Sequence, residues 1–105
     1  MVQFMYAMTG KLSTQPDKRN QLAEILLLAS RLVSTMPGCH AYIILEDVKD
    51  DSAIWVFEIW DDKETHDASL QDAGVRALIA EAMPLLSGAP NGSNFRVLGG
   101  HGLRG

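Results

Sequence analysis

The stretch Ala53–Leu70, AIWVFEIWDDKETHDASL, joins a bulky apolar segment directly to a polar one. The first eight residues are rich in β-branched and aromatic side chains, which predicts a β-strand over 53–60. Asp61 stands three residues before Glu64, the spacing of a capping box with Asp in place of Ser or Thr. A short helix is therefore predicted to begin directly after Trp60.

Both faces of this predicted strand are apolar. Because side chains alternate across a strand, one face carries Trp55, Phe57 and Ile59, and the other carries Ile54, Val56, Glu58 and Trp60. A strand that is apolar on both sides is typical of a sheet covered on both sides. We predict that this strand lies in the centre of its sheet.

Two further strands and a long helix are predicted before this stretch. Residues 2–12 alternate with a period of two, which predicts a strand. Thr14 is the predicted N-cap of a helix with a continuous apolar stripe, and Pro37–Gly38 is its predicted stop. A second strand is predicted over 39–46.

The remaining chain predicts a second helical region and a last strand. Residues 71–74 are expected to interrupt the helix that follows Trp60, and Pro84 is expected to end the helical segment after them. Residues 87–93 are predicted to form a loop and residues 94–98 a final strand. One domain over 1–98 and a flexible tail over 99–105 are expected.

The predicted order of elements is β-α-β-β-α-β, which indicates an α+β, ferredoxin-like fold. In this fold a four-stranded antiparallel sheet carries both helices on one face. The other face is bare, yet the first and third predicted strands are apolar on both sides. A second copy of the same sheet would cover that face, so we predict a homodimer that forms through the sheet face.

The composition excludes several classes of protein. The 105 residues are 47% hydrophobic and 21% charged with a net charge of −4, which is a globular profile without a basic face for nucleic acid. No apolar run approaches the roughly 18 residues that span a bilayer, and no secretory signal pattern opens the chain. With a single cysteine, Cys39, these features predict a cytoplasmic protein. The histidine spacing predicts no metal site, and no phosphate-binding loop is present.

Two motifs carry a family resemblance. The segment PGCHAY at 37–42 and the segment WVFEIWDDKETHDASL at 55–70 resemble the antibiotic biosynthesis monooxygenase family. This family includes quinol monooxygenases and cofactor-free oxygenases of aromatic polyketides. The resemblance implies a dimeric α+β barrel, a pocket between each sheet and its own helices, and chemistry that needs O₂ but no cofactor.

One position departs from the family pattern. The family has a histidine nine residues after the tryptophan, where this chain has Ser69. His66 lies one helical turn earlier, on a neighbouring part of the helix surface. Either His66 serves the same cavity from a shifted position, or the function of the family histidine is absent. The haem-degrading branch uses an Asn on the first strand, and residues 1–12 contain none.

Six residues are predicted to form the site. His66 and Glu58 are candidate catalytic bases, because an imidazole or a desolvated carboxylate can accept a phenolic proton. The predicted substrate-binding residues are Trp60, Ser69, Tyr6 and Tyr42. Five of them have a structural alternative: pairing with an arginine across a strand or the dimer seam for Glu58, a solvated helix position for His66, and packing in the core for Trp60, Tyr6 and Tyr42.

The sequence leaves two kinds of function open. The first is a cofactor-free monooxygenase that oxidises a quinol or hydroxy-aromatic molecule with O₂. The second is a non-catalytic protein on the same dimeric barrel. Such a protein binds a small aromatic molecule, or is a structural or stress-related dimer with a cavity filled by its own side chains.

Overall fold

The computed structural model describes residues 4–103. Its elements follow the predicted order, with the second helical region divided into two helices. The elements are β1 (Tyr6–Ser13), α1 (Arg19–Val33), β2 (Cys39–Glu46), β3 (Ala53–Trp60), α2 (Lys63–Ser69), α3 (Ala73–Ala82), a 3₁₀ turn (Met83–Leu85) and β4 (Asn91–Arg96).

The four strands form one antiparallel sheet in the order β2-β3-β1-β4. This confirms the α+β ferredoxin-like fold and the central position of β3. The helices cover the sheet face that carries Ile54, Glu58 and Trp60, each of which is 7% exposed or less. Two packed clusters lie between the layers, one around Leu22 and Ile54 and one around Val33 and Trp60.

The opposite sheet face, here called the open face, is only partly covered. Its side chains include Ile43 and Leu45 of β2 and Phe95 of β4, which are 46–48% exposed. Trp55 and Phe57 of β3 lie between them and are half-buried. The strands β2, β3 and β4 therefore present large apolar side chains on a side of the sheet that has no helix.

The first strand and the first helix begin later than the sequence predicted. The strand starts at Tyr6, and the predicted residues 2 and 3 lie outside the described part of the chain. Thr14 is not a helix cap, because its hydroxyl donates to the Ser52 carbonyl at 3.2 Å and its backbone bridges to Leu86. The helix instead starts at Arg19, without a side-chain cap.

The capping box of α2 lies one residue after its predicted position. Asp62, not Asp61, accepts a hydrogen bond from the Thr65 N–H at 2.8 Å, and the Asp62 N–H donates to the Thr65 hydroxyl oxygen at 3.4 Å. The Asp61 carboxylate instead pairs with His40 across the β2–β3 end of the sheet. The local spacing D-D-K-E-T allowed both registers, and the position of the sheet selected the second.

The last strand is Asn91–Arg96 instead of the predicted 94–98. Its first residues, predicted as a loop, pair with β1 so that Gly92 lies opposite Gly10. A Cβ atom at position 92 would lie 3.2 Å from the Thr9 carbonyl oxygen, so glycine permits this close approach. Backbone pairing at the sheet edge thus prevailed over a composition that is typical of turns.

The C-terminal segment reaches the open face. Gly99, His101 and Leu103 line a groove with His40, Ala41 and Ile43 at one end of that face. The boundary at residue 98 and the flexibility of the tail remain predictions, and residues 104–105 lie outside the described part of the chain. No helix within residues 4–103 is both long and apolar enough to cross a membrane.

Candidate functional site

Glu58 is a buried carboxylate on the central strand. It lies on the helix-covered face and is 7% exposed. The Trp60 Nε1–H, two residues along the same face, donates to Glu58 Oε1 at 2.9 Å. Burial raises the pKa of Glu58 above its ordinary value, because desolvation penalises the charged form more than the Trp60 hydrogen bond and His66 favour it. A carboxylate with a raised pKa is a stronger proton acceptor than an exposed one.

His66 of α2 lies next to the Glu58 carboxylate. The α2 cap at Asp62 starts the helix so that the His66 ring meets the Trp60 ring edge-on, with centroids 6.1 Å apart. His66 Nε2 is 3.9 Å from Glu58 Oε1, and Nδ1 is 2.9 Å from Asp67 Oδ1. A protonated His66 would therefore place a positive charge between one buried and one surface carboxylate.

The structural alternatives predicted for these two residues are not observed within the single chain. Within residues 4–103, the Glu58 carboxylate accepts a hydrogen bond from Trp60, lies 3.9 Å from His66 Nε2, and forms no ion pair with an arginine. His66 is 8% exposed, so it is not a solvated helix residue.

An apolar cavity of about 210 Å³ opens on the other side of Glu58, between the sheet and helices α1 and α3. Its polar end consists of Glu58, Ser69 and Tyr42. The apolar side chains that line it are Leu12, Ile25, Leu26, Ala29, Val33, Leu70, Val75, Leu78, Ile79, Ala82, Met83, Leu86 and Pro90. One carboxylate thus faces a small, almost wholly apolar chamber.

Tyr42 stands beside Glu58 because the two residues are paired across β2 and β3. Burial raises the pKa of the Tyr42 hydroxyl, and the negative charge of Glu58 raises it further. Tyr42 therefore keeps its proton and can donate it in a hydrogen bond. Within residues 4–103, no side chain or backbone group accepts a hydrogen bond from the Tyr42 hydroxyl, so this hydroxyl is available to a ligand.

Ser69 closes the polar end, but its own hydroxyl is engaged. It is 6% exposed, and its Oγ–H donates to the His66 carbonyl at 2.6 Å. Its oxygen retains lone pairs, so towards a ligand Ser69 acts as an acceptor. It contributes no base at the position where the family has histidine.

Tyr6 and Trp60 belong to the cluster without lining the cavity. Tyr6 stacks at a tilt on His66, with ring centroids 5.4 Å apart, and its hydroxyl donates to Asn94 Oδ1 at 2.8 Å. Burial and the charge of Asp67 raise the pKa of Tyr6. Trp60 is 0% exposed and holds Glu58 from the side opposite the cavity.

All six predicted residues lie in one connected group. Tyr6, Glu58, Trp60, His66 and Ser69 are linked through side-chain contacts or hydrogen bonds, and Tyr42 is the strand neighbour of Glu58. The family resemblance implied a pocket between the sheet and its helices, but the sequence did not identify the α1 and α3 side chains that form its wall. Asp67 and Asn94 were not predicted as site residues; Asp67 forms a hydrogen bond with the His66 ring, and Asn94 accepts one from the Tyr6 hydroxyl. The adjacency of His66 and Asp67 was visible in the sequence, whereas Asn94 becomes a neighbour of Tyr6 only through the β1–β4 pairing. No cluster of three metal-ligating side chains occurs within residues 4–103.

The fold and site define a class of small α+β proteins with a buried carboxylate at the end of an apolar, ligand-sized cavity. Residues 5–81 match the family model described as antibiotic biosynthesis monooxygenase, and the chain belongs to this family. None of the curated proteins matches the sequence.

Solved structures share this fold. A candidate antibiotic biosynthesis monooxygenase from Chloroflexus aurantiacus J-10-fl is 39% identical, over 95% of this chain and 99% of that one, with a TM-score of 0.86. A protein of unknown function from Nitrosomonas europaea is 27% identical, over 98% of both chains, with a TM-score of 0.81. A candidate monooxygenase from the same organism shares the fold at 16% identity, over 93% and 94% of the two chains, with a TM-score of 0.88.

Proposed function

We propose that this protein is a cofactor-independent monooxygenase that oxidises a quinol or another hydroxy-aromatic molecule with O₂. The observation that carries the proposal is the position of Glu58. A carboxylate with a raised pKa lies at the polar end of an apolar cavity that is large enough for an aromatic ring. Family membership supports the same class of reaction.

The proposed reaction begins with proton transfer from the substrate to Glu58. The resulting anion gives one electron to O₂, and the radical pair combines to form a carbon–oxygen bond. The peroxide then takes the proton back from Glu58, and its O–O bond breaks. For a quinol, one oxygen atom stays on the ring, and the other leaves as water with two substrate hydrogens. The substrate supplies all four electrons, so the reaction needs no external reductant.

The neighbours of Glu58 assist in different ways. Trp60 donates to the carboxylate and fixes its orientation. The positive charge of a protonated His66, at 3.9 Å, favours the ionised carboxylate that acts as the base. Tyr42, which keeps its proton, donates a hydrogen bond to a substrate oxygen as negative charge develops on it. In this assignment Glu58 contacts the substrate, and His66 acts through Glu58.

Ser69 favours a second candidate, a non-catalytic protein that binds an aromatic molecule. At the position of the family histidine stands a hydroxyl that is already bonded to the His66 carbonyl. Tight binding of hydroxy-aromatic molecules without O₂ consumption would support this candidate over the enzyme.

We also propose that the chain forms a homodimer through its open face. The half-exposed side chains of Ile43, Leu45 and Phe95 share this face with Trp55 and Phe57, and together they make much of it apolar. Apolar surfaces of this kind mark protein interfaces. Because the cavity lies on the helical side of the sheet, a partner on the open face leaves the cavity accessible.

Oxygen consumption tests the proposed reaction. An O₂ electrode would follow a panel of reduced benzoquinones, reduced naphthoquinones and anthrone-like compounds with the wild-type protein, Glu58→Gln and His66→Ala. Turnover by the wild type, near-complete loss in Glu58→Gln and partial loss in His66→Ala are expected. Glu64→Gln, which alters an exposed glutamate of α2, is the matched control and should keep full turnover. Equal turnover in Glu58→Gln would refute the role of Glu58.

A further inference from the structure

The cavity has an apolar opening at α3 and its adjoining turns. Leu70, Ile79 and Met83 line the cavity but are 42%, 42% and 59% exposed. Side chains that both line a cavity and meet solvent mark its opening, and these three are called the apolar rim below. Exposed apolar residues next to a binding site are typical of surfaces that contact a ligand or partner.

The volume limits the part of a ligand that can be enclosed. An apolar cavity of about 150 Å³ holds a benzene ring, and sites for drug-sized ligands are about 300–1,000 Å³. The cavity of about 210 Å³ therefore encloses one or two fused rings. Three fused rings exceed it.

The charges around the cavity restrict the ligand further. Glu58 is the one carboxylate among the described lining residues, and no Lys, Arg or His accompanies it there. An anionic group brought into this cavity would meet a buried carboxylate without any cationic side chain in the cavity lining to pair with it. The enclosed part of the ligand is therefore uncharged, with a hydroxyl for Glu58 and Tyr42.

We propose that the ligand of this site is an amphiphile, with an uncharged hydroxy-aromatic head of one or two rings and an aliphatic chain that leaves across the apolar rim. The chemistry of the head rests on the proposed function, whereas the chain is inferred from the rim alone. The rim lies on α3 and the adjoining turns, on the helical side of the sheet. A dimer through the open face would therefore leave the path of the chain unobstructed.

Binding of 1-naphthol and its 4-methyl, 4-butyl and 4-octyl derivatives, measured by calorimetry, tests the chain. A fully buried methylene strengthens binding about fourfold, and a half-buried one about twofold. We expect a rise of about two- to fourfold per carbon over roughly the first four carbons, and a smaller rise beyond them. Anthrol, with three rings, and 1-naphthol-4-carboxylate are each expected to bind at least about tenfold more weakly than 4-methyl-1-naphthol.

Rim variants separate a bound chain from general hydrophobic partitioning. The double variant Ile79→Ser/Met83→Ser should lose more than half of the gain from the butyl group, with the gain measured relative to the variant's own affinity for 1-naphthol. Leu28→Ser is the matched control, because Leu28 is 49% exposed on α1 and does not line the cavity. It should leave every affinity unchanged. All three side chains are exposed, so the variants should fold, and thermal melts verify this.

Two results would overturn the inference: an affinity that does not depend on chain length, or an equal gain from the chain in the rim variant and the wild type. Tight binding of anthrol would overturn the limit on ring number. Chain-dependent binding without any O₂ consumption would refute the proposed reaction and still support the amphiphilic ligand. Turnover of quinols at a rate that does not depend on the length of their aliphatic chain would support the proposed reaction and refute the amphiphilic ligand.

Discussion

Replacing Glu58 by glutamine removes the proposed base while keeping the shape of the side chain. The amide oxygen can still accept the hydrogen bond that Trp60 Nε1–H now donates at 2.9 Å, and the NH₂ group can face the cavity. Removal of a general base lowers turnover by about 10²–10⁴-fold, or roughly 3–5 kcal/mol of activation free energy. The initial rate of O₂ consumption with a two-ring quinol measures this loss.

The same substitution should stabilise the fold at neutral pH. The pKa of Glu58 in the folded state is raised above its ordinary value of 4.5, which applies to the unfolded state. At a pH between the unfolded-state and folded-state pKa, the folded state therefore binds more protons than the unfolded state. Stability therefore falls as the pH rises through this window, and the folded protein carries the full cost of the buried charge above it. Glu58→Gln lacks this cost, so its melting temperature should exceed that of the wild type at neutral pH and should lose this pH dependence.

Glu58→Leu is the matched comparison, because it also removes the charge but leaves Trp60 without an acceptor. Trp60 is 0% exposed, so its indole N–H would be buried and unsatisfied, at a cost of about 1–3 kcal/mol relative to Glu58→Gln. For a domain of this size each kcal/mol changes the melting temperature by roughly 4–8 °C. A Glu58→Gln variant that melts below Glu58→Leu, or that retains more than half of the wild-type turnover, would refute the reasoning.

Three further predictions concern other parts of the molecule. Ile43→Asp places a charge on the open face and should convert the proposed dimer to a monomer in analytical ultracentrifugation. The control Val48→Asp, in an exposed loop, should remain a dimer. A dimeric Ile43→Asp variant would contradict the proposed interface. Leu22→Ala truncates a fully buried side chain between α1 and β3 and should lower the free energy of unfolding by about 2–5 kcal/mol in urea titrations. A loss of under about 1 kcal/mol would contradict the close packing of Leu22 against Ile54. Tyr42→Phe removes the proposed donor to the substrate and should lower kcat/KM by about tenfold without a loss of stability; unchanged kinetics would exclude Tyr42 from the site.

The sequence alone determined the order of elements and the central place of β3. Period-two alternation and apolar residues on both faces are local properties that survive in any tertiary context, and β2 and β3 have the predicted limits. It also placed Glu58 and Trp60 on one face, because residues two apart in a strand share a side of the sheet. The match to the family extends over residues 5–81, which include this segment.

Tertiary structure decided the boundaries and the surroundings of the site. The capping box moved to Asp62 and the last strand moved to 91–96, because pairing at the sheet edge fixes positions that local spacing leaves free. The cavity is formed by α1 and α3 against the sheet, and these elements are distant in sequence. Likewise, the raised pKa of Glu58 follows from the number of apolar groups that exclude water around it, a property that only the packed chain possesses.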